Sequence, residues 1–148
     1  MNKVVLPNEI MLGEVSRLLS EGHEVVIMTK GSSMLPFIRG EKDSVNLVRR
    51  ETVELGDIVL AQLRPGRYVL HRVAAVDGDH LTLHGDGNLR GDEHCSIQDV
   101  SGTAVQILTP KGRVKDCICE ASKRRARRWN FLPYFIRRYT LAIYRRLI

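Results

Sequence analysis

Residues 67–84 read Arg-Tyr-Val-Leu-His-Arg-Val-Ala-Ala-Val-Asp-Gly-Asp-His-Leu-Thr-Leu-His. Two runs rich in Val and Leu stand on either side of Asp77-Gly78-Asp79, a turn triplet. Aliphatic and β-branched residues punctuated in this way predict strands over Arg67–Val76 and His80–His84. Moving outward, the same signature recurs at Glu24–Lys30, Ser44–Arg49, Asp57–Leu63 and Gly102–Leu108. Gly31-Ser32-Ser33, Arg39-Gly40-Glu41, Leu55-Gly56-Asp57 and Pro65-Gly66 separate these runs as turns. Short strands at this spacing predict a mainly β fold, a coiled antiparallel sheet or partial barrel. Residues 7–21 predict one short helix before it. Pro7 suits a first turn, Ile10, Met11, Val15, Leu18 and Leu19 form a helical stripe, and Gly22 can end it.

At 148 residues, 43% of them hydrophobic, the chain has the size of one domain with a real core. Its apolar runs stop after a few residues, far short of the ~18 that a membrane-spanning helix needs. The N-terminus shows no basic region, apolar run and small-residue cleavage site, so the sequence predicts a cytoplasmic chain. Cys95, Cys117 and Cys119 read as free thiols, because the Cys-x-Cys pair lacks a second pair to complete a zinc site. His80, His84, His94 and Cys95 are close in sequence, yet adjacent His94 and Cys95 point to opposite faces of a strand. Neither metal nor cofactor is expected.

The net charge of +6 conceals an asymmetry. From Ala121 to the end there are nine Lys or Arg and no acid, whereas the preceding 120 residues balance at −3. The chain therefore divides into a body, residues 1–120, and a basic tail, residues 121–148. Ser122–Arg128 is a basic run. Leu132–Ile148 predicts a basic amphipathic helix, with Pro133 in its first turn. Leu132, Phe135, Ile136, Tyr139, Ile143 and Leu147 fall on one side, and Arg137, Arg138 and Arg145 on the other. Arg124, Arg125, Arg127, Arg128, Arg137 and Arg138 are candidate contacts to an anionic membrane surface or a partner protein. The apolar stripe favours these over nucleic acid, and would hold the chain peripherally on the inner face of the membrane.

Gly31-Ser32-Ser33-Met34-Leu35-Pro36 puts serines on a sharp turn straight after a strand. The plain reading is a polar turn. The chemical one is a nucleophile, which needs a base because a serine hydroxyl is protonated at neutral pH. His71 shares a strand face with Val69, Val73 and Ala75, and either completes the core or serves as that base. Asp86 and Asp92, in His84-Gly85-Asp86-Gly87-Asn88-Leu89-Arg90-Gly91-Asp92, read as a solvated loop or as carboxylates able to orient His71.

Together these pieces resemble, in order and spacing, the signal peptidase and LexA-type serine peptidase clan. Gly31-Ser32-Ser33-Met34-Leu35-Pro36 is similar to the Ser-Met-x-Pro box, which makes Ser33 the nucleophile. Arg39-Gly40-Glu41-Lys42-Asp43 resembles the Gly-Asp that follows, with Glu41 in place of the acid. Gly56-Asp57-Ile58-Val59 resembles the second Gly-Asp strand. Leu70-His71-Arg72-Val73 resembles the endoplasmic-reticulum and archaeal branch, in which histidine replaces the lysine base. His84-Gly85-Asp86-Gly87-Asn88 with Asp92 is similar to the following block, with His84 in place of its lysine. By that match Asp92 takes the triad position and Asp86 a supporting one. Asp99-Val100-Ser101-Gly102-Thr103-Ala104-Val105 resembles the closing strand.

The resemblance, over roughly residues 25–108, implies a serine endopeptidase that cuts an extended peptide or protein substrate after small residues. Ser33 attacks, His71 is general base, and the Ser33 backbone N–H contributes the oxyanion hole. Gly31 stands where some relatives carry a serine that helps this hole, and members of the family carry a membrane anchor. Two alternatives share the fold. A LexA-type self-cleaving regulator needs a DNA-binding segment, and residues 1–24 predict one helix where a helix-turn-helix needs two. A non-catalytic module would work through the tail.

Overall fold

Ile58-Val59-Leu60-Ala61 offers no polar side chain to solvent, so a strand built on it must be covered on both faces. The computed structural model describes residues 3–5, 12–89 and 91–147. In chain order its elements are β1 (Lys3–Val5), α1 (Leu12–Ser20), β2 (Glu24–Met28), β3 (Ser44–Val48), β4 (Ile58–Arg64), β5 (Arg67–Asp77), β6 (His80–His84), β7 (Glu93–Ser96), β8 (Val100–Leu108), β9 (Val114–Asp116), α2 (Glu120–Phe131) and α3 (Tyr134–Leu147). The strands form one sheet in the order β1-β2-β3-β8-β4-β5-β6-β7, with β9 added to β8. Every pairing is antiparallel except β1 with β2. The mainly β, antiparallel architecture expected from the sequence is present.

β4 divides its side chains between two cores, as strand alternation requires. Ile58 and Leu60 join Val25, Ile27, Val45, Leu47 and Ala104 beneath α1, which inserts Val15 and Leu19. Val59 and Ala61 join Val73, Leu81, Leu83 and Cys95 on the other face. Register shifts at Asn46/Leu47, Leu60/Ala61 and Val73/Ala75 interrupt the regular pairing, as β-bulges do. The last of these takes Ala75 out of the buried row that holds Val69, His71 and Val73, and leaves it exposed.

Three strands were not apparent in the sequence: β1, β7 and β9. Of the helix read over residues 7–21, α1 supplies Leu12–Ser20; residues 7–11, with Pro7, Ile10 and Met11, lie outside the described residues. The tail forms two helices. Leu132 is extended (ψ 148°), as a residue before proline prefers, and this separates α2 from α3. The basic run Ser122–Arg128 lies within α2.

α2 is fastened to the body. Lys123 Nζ pairs with Asp57 Oδ1 at 2.9 Å and Glu54 Oε2 at 3.2 Å, and Ala126 and Trp129 are buried. Trp129 and Leu141 close a third apolar cluster around Leu35.

Candidate active site

The turn between β2 and β3 is built to hold Ser33 rigidly. Met34, Leu35 and Ile38 are buried and pin one short helical turn, with Ile38 N–H donating to Met34 O at 2.9 Å. Its ends are closed by Thr29, whose hydroxyl donates to Asp43 O at 2.7 Å, and by Asp43. That buried carboxylate accepts the Arg39 backbone N–H at 2.8 Å and its guanidinium at 2.9 Å. Gly40 packs on Gly31 so closely that a Cβ there would lie 1.9 Å from Gly31 O. Asp43, not the motif-aligned Glu41, is the acid that closes this loop.

Ser33 and His71 line one cavity of about 330 Å³, together with Ile27, Thr29, Met34 and Tyr68. Ser33 is half-buried, and His71 is 6% exposed. No hydrogen bond joins the Ser33 hydroxyl directly to the His71 ring; bonds of this kind are often long until substrate binds. The Ser33 backbone N–H has no partner among the described residues. It is therefore free to face an oxyanion.

His71 Nδ1 bonds Glu93 Oε1 at 2.5 Å. A carboxylate only accepts, so Nδ1 carries the proton, and the neutral ring keeps its lone pair on Nε2, the form that a general base requires. The sequence had offered Asp92 or Asp86 for this place, and the structure puts both elsewhere. Asp92 Oδ1 bonds His84 Nδ1 at 2.6 Å. Asp86 is fully buried and takes Arg72 through Nε and the terminal nitrogen, at 2.9 and 2.7 Å.

Register explains the exchange. Val73 pairs with Leu83, and Leu83 with Glu93, so these three share a face with His71, two residues before Val73. Residue 92 faces the other way, with His84 and Arg72. Glu93 escapes the sequence reading because no strand is legible over Glu93–Ser96, so Asp92 reads as part of the loop that begins at His84. Counting back by two from buried Cys95 leads to it.

Arg72 organises the surroundings. It reaches Gly56 O at 2.8 Å and lies 5.6 Å from the centre of the Phe37 ring. Asp86, thus fixed, presents its carbonyl to the Trp129 indole N–H at 2.8 Å and its carboxylate to Asn130 at 3.0 Å. The next residue, Gly87, donates its N–H to Ser33 O at 2.8 Å. A Cβ on Gly87 would lie 2.4 Å from Ser32 O.

With this geometry in place, the chain can be set beside known proteins. No family model matches it, and no curated protein matches it significantly.

Cys95 and Cys117 are buried and free, and Cys119 is exposed and free. Burial, with Asp99 nearby, pushes the Cys95 thiol up to about 11, and burial pushes Cys117 up to about 12. The hydrogen bond between Cys119 and the Ser122 hydroxyl lowers the pKa of Cys119. Among the described residues no three His, Cys, Asp or Glu side chains are grouped to hold a metal. Of the six candidate contact arginines, Arg127 pairs with Glu120 at 2.8 Å, Arg125 donates to the Ser122 hydroxyl and Arg137 to Leu132 O. Arg124, Arg128 and Arg138 are exposed. No described helix is long and apolar enough to cross a membrane.

Proposed function

We propose that the chain is a serine endopeptidase of the signal-peptidase-like type, with Ser33 as nucleophile, His71 as general base and Glu93 as the group that orients the base. The observation that carries this reading is the shared cavity, lined both by a serine on a packed turn and by a histidine whose Nδ1 is held by the half-buried Glu93 carboxylate. His71 Nε2 takes the Ser33 proton as Oγ attacks a peptide carbonyl. Glu93 stabilises the imidazolium that forms, and the Ser33 N–H faces the developing oxyanion. His71 then returns the proton to the leaving amine, and water removes the acyl group by the same route in reverse.

An extended peptide suits the cleft. β1 pairs with β2 only as far as Val26, and β6 pairs with β5 only from Arg72 onward. Ile27 and Met28 pair only with β3, and Tyr68–His71 only with β4, so the other edge of each, beside the cavity, has no strand partner among the described residues. Such edges accept a peptide as an added strand.

The test incubates the protein, Ser33→Ala and His71→Ala with extended peptides containing Ala-x-Ala, and reads products and self-cleavage by mass spectrometry. Cleavage by the wild type and by neither variant is expected. Peptides left intact by every preparation, or cut equally by all three, would remove the assignment.

A further inference from the structure

α3 has two apolar sides, and only one is used. One side seats Leu141 against Leu35 and Trp129. The other points away from the body: Phe135 is 70% exposed, Tyr139 71% and Leu147 78%, with Ile143 between them also exposed. Scattered surface hydrophobics are ordinary, but a row running the length of a helix marks an interaction face. The charge that α3 itself carries has one sign. Arg138, Arg145 and Arg146 are exposed and have no ion-pair partner among the described residues, and residues 121–148 contain no acid.

The occupant must therefore be apolar below the row and anionic beside it. A second copy would bring cationic helices face to face, and nucleic acid would leave the row wet. With four arginines among its 14 residues, α3 is not apolar enough to cross a bilayer, and a surface position suits it. We infer that α3 docks the chain on the surface of an anionic lipid bilayer, with Phe135, Tyr139, Ile143 and Leu147 entering the interface and the arginines reaching headgroup phosphates. Arg145 shares a shallow pocket with Gly31, Ser32, Glu41 and Lys42, so α3 lies beside the Ser33 turn. The inference rests on α3 alone, whatever the cleft does.

Flotation of the full-length chain with vesicles tests it. Ser33→Ala serves as background, so that loss of peptidase activity does not enter the result. Vesicles of phosphatidylcholine mixed with phosphatidylglycerol should carry the protein, pure phosphatidylcholine should not, and added salt should release it. Phe135→Ser combined with Tyr139→Ser should weaken binding about tenfold or more, and so should Arg138→Gln combined with Arg146→Gln. All four positions are exposed, so unchanged melting temperatures confirm that the variants fold. No binding to the mixed vesicles, or binding that neither double variant weakens, would overturn the inference. So would a dimer in solution that Phe135→Ser with Tyr139→Ser dissolves, since it would assign the row to a second copy.

Discussion

Glu93 reaches His71 because Val73, Leu83 and Glu93 line up across three strands on one face of the sheet. Asp92, one residue earlier, is turned to the opposite face and bonds His84. This separates two neighbouring acids by experiment. Glu93→Gln should lower the turnover of peptide cleavage by about 10³–10⁴-fold, since the ring loses its held tautomer and the stabilised imidazolium. Asp92→Asn should change turnover less than tenfold under the same assay. Comparable losses from both would break the assignment of Glu93 to His71. The residue types of the site were legible: Ser33 and His71 could be read from a turn after a strand and from an alternating row. The orienting acid could not, because parity is defined only once the start of β7 is known, and a one-residue slip exchanges every side chain between faces. Thiol reactivity belongs to this scale too. Iodoacetamide applied to the native protein at pH 8 should alkylate Cys119 alone, because burial keeps Cys95 and Cys117 as thiols; peptide mapping reads the result.

The loop His84–Asn88 joins what β5, the nucleophile turn and α2 each contribute. Gly87 N–H holds the Ser33 carbonyl, and there is no room for a methyl group beside Ser32 O. Gly87→Ala should therefore push the nucleophile turn outward, with a stability loss of about 1–3 kcal/mol. Turnover should fall more than the Michaelis constant rises, as kinetics on the extended peptide would show. An alanine variant with unchanged turnover would mean that this loop does not position Ser33. The strong strands were readable because aliphatic residues crowd them. β7 (Glu-His-Cys-Ser) and β9 (Val-Lys-Asp) carry no such pattern; neighbouring strands make them extended, which local propensity does not report. α2 carries five Lys or Arg among its 12 residues, and its docking depends on partners far away in the chain, Asp57 and Asp86, that only the folded sheet supplies.

The division of the whole molecule into a mildly acidic body and a basic tail reappears as an ion pair between them. Asp57 is fully buried, and Lys123 crosses to it from α2. Burial alone would lower the lysine's pKa, but Asp57 and then Glu54 outweigh this and raise it above the ordinary value of 10.5. A raised folded value means that the pair's stabilisation is complete below about pH 10.5 and fades as the pH climbs through the folded value. Lys123→Met should destabilise the protein by about 3–5 kcal/mol at neutral pH by leaving Asp57 charged without its partner. Urea unfolding of wild type and variant should show that gap narrowing at strongly alkaline pH; a gap that is absent at pH 7 would count against the pair. The chain's single tryptophan occupies the join itself, 8% exposed, with its indole N–H bonded to the Asp86 carbonyl. The protein thus carries a built-in optical gauge. Native emission should be blue-shifted, and separation of α2 from the body, by urea, alkali or a lipid surface, should appear as a red shift without any added label.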